Sequence, residues 1–287
     1  MVGSTTNQII SGTGLMSLKT ATACDRPHSL TAAEARRRIR SGKYTNTTAG
    51  LAEGKLQSNV VILPAEYARD FENFCKNNPK PCPLNGMTPA GNPMFDALGK
   101  DIDIRTDVPS YNVYRYGELS SQVSDIAGLW QGDFTAFALG CSFTFEHALL
   151  KANIPLRHID DGHTVSMFAT SIETVSSGPF HGPMVVSMRP IREELVEQVN
   201  KICTAFPHAH GAPIHSGNPD EIGIKNIENP EWGQPTRILP DEIPVFWACG
   251  VTPQNVLATA KPPICITHTP GCMLITDIPD DIVTQLA

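Results

Sequence analysis

The chain has no C-x-x-C pair, no G-x-x-x-x-G-K-[ST] loop, no G-x-G-x-x-G and no G-x-S-x-G. Each absence removes a chemistry. Without paired cysteines at short spacing, a zinc knuckle or a thioredoxin-type redox centre is unsupported. Without a glycine-rich phosphate loop, nucleotide binding has no motif to rest on. Two residues after Ser142 stands Thr144 and not glycine, so the nucleophile elbow of a serine hydrolase is missing as well. Positive charge is also scarce: 22 Lys and Arg stand against 29 Asp and Glu, a net charge of −7. A nucleic-acid footprint is therefore not expected. No apolar run is long enough to cross a bilayer, and the first residues lack the basic, apolar and small-residue succession of a signal peptide. The expectation is a soluble, cytoplasmic protein with neither nucleic-acid nor membrane partners.

What is present supports a large α/β chain. Of 287 residues 41% are hydrophobic, enough for a sizeable core and for two units of ordinary size. The eight cysteines are dispersed, several inside apolar runs such as 246–249 and 263–266, which reads as reduced, buried thiols and not as a disulfide framework. Residues 1–27 are rich in Ser, Thr and Gly and are expected to form a flexible leader. Thr31 and Glu34 form a capping box, predicting a helix that ends near Gly42 and presents Arg36, Arg37 and Arg38 as a solvated face. Residues 59–63, Asn-Val-Val-Ile-Leu, form a continuous apolar run, as in a strand covered on both faces, and Pro64 starts the next helix. Prolines at 79, 81 and 83 fix a stiff loop around Lys80. Near Tyr111 the rhythm changes. The predicted organisation is two α/β subdomains, a three-layer sandwich formed by 28–113 plus 204–287 and a smaller α+β domain inserted at 114–203.

Chemistry-bearing residues gather where apolar strands meet turns of small residues. In Gly140-Cys141-Ser142-Phe143-Thr144-Phe145-Glu146-His147 a helix starting near Ser142 would set its unpaired amides beside Cys141, a ready anion site. Residues 154–160 read as an edge strand carrying Arg157 and His158. Arg189 stands where a strand gives way to a helix, and His181 occupies a tight turn. His208 and His210 form an H-x-H pair whose members share a face if extended, which leaves room for a divalent metal although no carboxylate or cysteine stands at diagnostic spacing. Residues 244–253 read as strand, Gly turn, Thr252 cap and helix, and 264–271 as a strand feeding a Pro-Gly turn. In an open α/β sheet, ligands bind at the carboxyl edge of the strands, so Cys249, Gly250, Thr252 and His268 are expected to line a small-molecule site.

Several of these segments, in fixed order, resemble the bacterial hydro-lyase family related to D-glutamate cyclase. They are residues 49–52, 57–64, 78–84, 140–143 with Glu146, 180–183 through 187–190, 210–213, 246–253 and 266–271. The likeness spans Ser29 to Asp277. It implies a two-part α/β chain and loss of water from a small amino or carboxylic acid, with D-glutamate closing to 5-oxo-D-proline. Apart from the resemblance, no bound cofactor is expected, with a divalent metal left open, and the expected partners are a small anionic substrate and, as an open case, further copies of the chain in a homo-oligomer. Lactam formation needs a neutral amine, an acid for the departing oxygen and donors for the developing oxyanion. The residues assigned to that work are Glu146, His268, Cys141 and Cys249 for catalysis, and Ser142, Arg157, His181, Arg189, His210, Gly250, Thr252 and Gly271 for binding; no residue is assigned to a metal. Two other readings stay open, a cysteine-nucleophile enzyme and a non-catalytic binding protein for a small acid.

Overall fold

The computed structural model describes residues 30–280; the leader expected at 1–27 lies outside them. The chain is α/β, with six α-helices and two sheets among the described residues. The first sheet has the order β2(Leu84–Met87), β5(Phe134–Gly140), β1(Lys55–Pro64), β10(Cys265–His268), β3(Tyr111–Arg115), β4(Glu118–Val123), and β11(Leu274–Pro279) pairs the outer half of β1. The second has the order β6(Ser166–Glu173), β7(Pro183–Arg192), β9(Glu242–Ala248), β8(His215–Ser216).

β1 is the spine of the first sheet, and its sequence explains why. Alternate side chains of a strand point to opposite faces. Val60 and Ile62 enter a core with Phe95, Leu98, Ile102 and Val108, whereas Val61 and Leu63 enter another with Phe71, Phe74 and Phe180. A continuous apolar run was therefore needed, as expected. α2(Ala65–Asn77) begins directly after Pro64 and lays Phe71 and Phe74 on the second of these cores. The second sheet is likewise covered on both faces. One side holds Phe145, Leu149, Val199 and Trp247, the other Phe168, Val186, Met188 and Phe246.

Two connections tie the sheets together in opposite senses. β5 belongs to the first sheet, yet α3(Phe143–Lys151), which follows it, packs Phe145 and Leu149 into the core of the second. β9 belongs to the second sheet, yet α6(Val251–Ala260) packs Val256 and Leu257 into the core of the first.

Several expectations are corrected. The strand pairs are antiparallel, so no shared carboxyl edge of a parallel sheet gathers the site. β4 and β5 sit in the first sheet, and β8 and β9 in the second. Residues 154–160 form no edge strand but run into a short helix, α4(Arg157–Asp160). The capping box of Thr31 and Glu34 does open α1(Ala32–Arg40). Arg36, however, is only 2% exposed and reaches the Ile275 and Lys100 carbonyls and Asp277, so the arginine triplet is not a uniformly solvated face.

Candidate active site at the seam between the sheets

The two strand–helix junctions meet at the seam. Asn59, the polar residue in the apolar run of β1, donates from Nδ2 to the Gly140 carbonyl at 2.8 Å. A Cβ on Gly250 would stand 2.6 Å from that same Nδ2 and 3.8 Å from the Gly140 oxygen, so only glycine lets the junctions approach this closely. A Cβ on Gly140 would overlap the His208 carbonyl, which brings the 206–212 loop onto the same spot.

Cys141 and Cys249 occupy matching places, each one residue past its strand and one before the residue that precedes its helix. Ser142 and Gly250 both adopt right-handed helical angles and neither supplies a side-chain cap; the Thr144 and Thr252 amides turn back instead to the Cys141 and Cys249 carbonyls, at 3.3 and 3.0 Å, and Pro253 has no N–H to offer. The expected Thr252 cap is absent. The Thr252 hydroxyl is fully buried and instead exchanges hydrogen bonds with the Val185 backbone, tying α6 to β7. The Phe143 amide donates to the Cys141 sulfur and the Val251 amide to the Cys249 sulfur. Burial pushes the Cys141 thiol up to about 12, with the Glu146 charge adding to it, and burial raises Cys249 in the same direction.

Beneath the thiols lies a charged pair. Glu146 Oε1 accepts from Arg189 Nε at 3.0 Å and from Arg189 Nη2, and His158 Nε2 stands 3.2 Å from the same oxygen. Arg189 Nη1 donates to Ser187 Oγ at 2.9 Å. The guanidinium carbon sits 5.0 Å from the Phe145 ring centre and 5.1 Å from that of Trp247, so aromatic faces complete its shell. Burial alone would raise the Glu146 carboxyl, but the Arg189 charge and the His158 hydrogen bond outweigh it and hold the group at about 2. Glu146 is therefore a carboxylate of low basicity at neutral pH.

His210 borders this cluster. Its backbone is left-handed, with φ of 77°, and the ring Nδ1 lies 2.8 Å from the Lys80 carbonyl. A carbonyl only accepts, so Nδ1 carries the proton and Nε2 the lone pair. Burial lowers the imidazole to about 4, with the charges of Arg189 and Lys80 acting in the same sense, so the ring is neutral. Lys80 Nζ donates to the Ala212 carbonyl at 2.8 Å and anchors the same loop. His208 and His210 lie in and just after a short 3₁₀ turn and not in an extended segment, so they do not present the common face that extension would give.

The remaining sequence candidates lie apart from the pair. His268 is buried on β10, where Nδ1 accepts from the Val60 amide at 3.1 Å; burial brings its ring down to about 4. Arg157 binds Glu242 through both terminal nitrogens, at 2.7 and 2.6 Å, and the Arg237 carbonyl at 2.8 Å. His181 is exposed in the turn before β7. The Gly271 carbonyl accepts from the Thr48 amide and the Thr47 hydroxyl, pinning a surface turn. The sequence reading passed over Asn59, Ser187 and Trp247. Asn59 could have been flagged as the one polar side chain in 59–63.

The fold and this seam define an α/β protein with a buried ion pair, a neutral imidazole and two thiols in one place. A family model described as D-glutamate cyclase matches residues 135–277, which takes in both thiols and the Glu146–Arg189 pair. A protein of Verminephrobacter eiseniae bearing the name "Putative hydro-lyase" is 56% identical over 245 residues, 85% of this chain and 89% of the relative. One of Dinoroseobacter shibae with the same name is 57% identical over 249 residues, 87% of this chain and 83% of the relative. The chain belongs to this hydro-lyase family related to D-glutamate cyclase. Among solved structures, a nitrogen repressor-like protein from Methanococcus jannaschii aligns over 82% of this chain and 91% of its own at 12% identity and a TM-score of 0.36, too slight a likeness to carry an argument. No helix among the described residues is long and apolar enough to cross a membrane.

Proposed function

We propose that this chain removes water from a small amino dicarboxylic acid bound at the seam, closing D-glutamate to 5-oxo-D-proline. The observation that carries the reading is the meeting of the two strand–helix junctions, at Cys141 and Cys249, with the buried Glu146–Arg189 pair and the neutral His210. The overall reaction conserves protons. The ammonium gives up two, the departing carboxylate oxygen takes two, and water leaves as the C–N bond forms.

His210 offers an acceptor for the first transfer, because its ring is neutral and its Nε2 bears the lone pair. Glu146, with its carboxyl held at about 2, serves instead to neutralise and orient Arg189. Cys141 stays protonated at neutral pH and can donate to the leaving oxygen. With its thiol held that high, a nucleophilic role for Cys141 has less support than the proton-donor role.

Proton NMR of the purified protein with D-glutamate, L-glutamate or 5-oxoproline, each with added divalent cation and with chelator, tests the reading. Appearance of 5-oxo-D-proline from the D isomer is the expected result. Its absence under every condition overturns the lactam reaction.

A further inference from the structure

Asp107, Glu146 and Glu242 each pair with an arginine while their own side chains are almost fully buried, at 0%, 4% and 6% exposed. In two of them both oxygens are used. Asp107 Oδ1 accepts from Arg40 Nε, and its Oδ2 from Arg40 Nη2 and the Asp103 amide. Glu242 Oε1 accepts from Arg157 Nη2, and its Oε2 from Arg157 Nη1 and the Leu239 amide. Glu146 differs. Both Arg189 nitrogens and His158 Nε2 stand on Oε1, and no group among the described residues donates to Oε2. A carboxylate oxygen this deep is costly to leave without a donor.

We infer that Glu146 Oε2 receives the ammonium group of the amino acid bound at the seam, so that this carboxylate selects ligands that carry a cationic amine. The inference rests on the proposed function only for placing a small amino acid there. Glu146 lies in the first turn of α3, and its charge acts on both the Cys141 and the Cys249 thiol, so its head group belongs to the junction. An anionic oxygen repels the carboxylates of a small dicarboxylic acid and attracts its amine. It therefore decides which end of the ligand turns toward Glu146. An ammonium brings three donors and a charge, and hydrogen bonds between ionised partners are the strong ones.

The surroundings explain why the load stays on one oxygen. Arg189 Nη1 is tied to Ser187 Oγ, and the Phe145 and Trp247 rings flank the guanidinium, so the cation is fixed and meets Glu146 from one side. A carboxylate free to turn would spread its donors over both oxygens, as Asp107 and Glu242 do. With its carboxyl held at about 2, Glu146 grips the ammonium as an anion and does not take its proton. That transfer is left to an acceptor such as His210 Nε2. Glutarate, which differs from glutamate only in lacking the amine, brings no donor for Oε2 and would leave it unpaired.

The test compares binding of D-glutamate and of glutarate by saturation-transfer NMR, with the D-glutamate signals recorded before any lactam accumulates. The chains are wild type, Glu146→Gln, and Glu146→Gln with Arg189→Met, which leaves no stranded cation; circular dichroism checks that each is folded. Wild type should hold D-glutamate about tenfold or more tighter than glutarate, the scale of one charge-assisted hydrogen bond. Both variants should lose that preference by binding D-glutamate more weakly. Lactam formation by a wild-type chain that binds glutarate as tightly as D-glutamate overturns the inference and leaves the proposed function standing. A preference for D-glutamate that the variants abolish, without lactam from wild type, keeps the inference and overturns the lactam reading. A preference that survives in a folded variant, or binding of neither acid to wild type, overturns the role of Oε2.

Discussion

Two arginine–glutamate pairs, Arg189 with Glu146 and Arg157 with Glu242, use the same chemical groups in different surroundings. In the first, the side chains are 0% and 4% exposed, one carboxylate oxygen takes two guanidinium bonds and the neighbourhood of His158, and aromatic rings flank the cation. In the second, the arginine is 17% exposed and the bonds are paired, one nitrogen to each oxygen. The second is an ordinary fork-to-fork tie between α4 and the start of β9. The first is off-balance, since Oε1 is crowded by donors and the charges lie where desolvation costs most. A pair chosen for stability alone would resemble the second. The first is arranged to keep one carboxylate ionised and one cation fixed beside the thiols, which fits a site whose electrostatics serve chemistry.

Removing the carboxylates separates the two cases most sharply. Glu146→Ala strands Arg189 in the core, and a buried charge left without its partner costs about 3–5 kcal/mol. Chemical denaturation should show that loss, and turnover should vanish even under conditions where the variant is folded. Acid probes the same pair without deleting atoms. The Glu146 carboxyl stands at about 2 in the folded chain against 4.5 in its absence, so the unfolded chain binds the extra proton between those values. The stabilisation is therefore complete above pH 4.5 and is lost as the pH falls toward 2. His210, lowered by burial from 6.5 to about 4, acts one step earlier: its ring binds a proton more readily when unfolded, so stability already declines from pH 6.5 downward. Denaturation midpoints between pH 7 and pH 3 should fall less steeply below pH 4.5 in Glu146→Gln than in wild type. An unchanged acid slope would mean that the pair contributes nothing through its charge.

What the sequence disclosed and what it hid divide along the same line. Local signals were legible. The capping box at Thr31, the two-sided run of β1, the helix start after Pro64, and the small-residue turns holding Cys141 and Cys249 all follow from neighbours in the chain. Pairing across the chain was not. Glu146 and Arg189 stand 43 positions apart, and Arg157 and Glu242 stand 85 apart. No periodicity tells which carboxylate an arginine will meet. Both arginines were therefore free to be read as substrate clamps, and both are engaged by the protein's own glutamates. Residues 154–160 misled because the run from Ile154 to Ile159 mixes apolar and polar residues as a half-exposed strand does. Ile154 and Leu156 are instead buried against α3 and the helix of residues 196–204, and the chain turns helical at Arg157. Strand direction was equally hidden, because a run buried on both faces reads the same whether its partners lie parallel or antiparallel.

The smallest expected effect completes the contrast. Glu242→Ala removes both oxygens from Arg157 and an acceptor from the Leu239 amide, yet Arg157 keeps the Arg237 carbonyl and reaches water. Partial exposure lets solvent replace much of what is lost, so the cost should be about 1–2 kcal/mol, the range of charged hydrogen bonds discounted for solvent screening. A double-mutant cycle of Arg157→Ala with Glu242→Ala isolates the coupling, which should be well below that of the Glu146–Arg189 pair measured in the same way. Equal couplings for the two pairs would erase the distinction drawn between a tie that holds the fold and a pair that tunes the seam. A larger coupling at Glu242 would reverse it, and would move attention from the thiols to the α4–β9 corner.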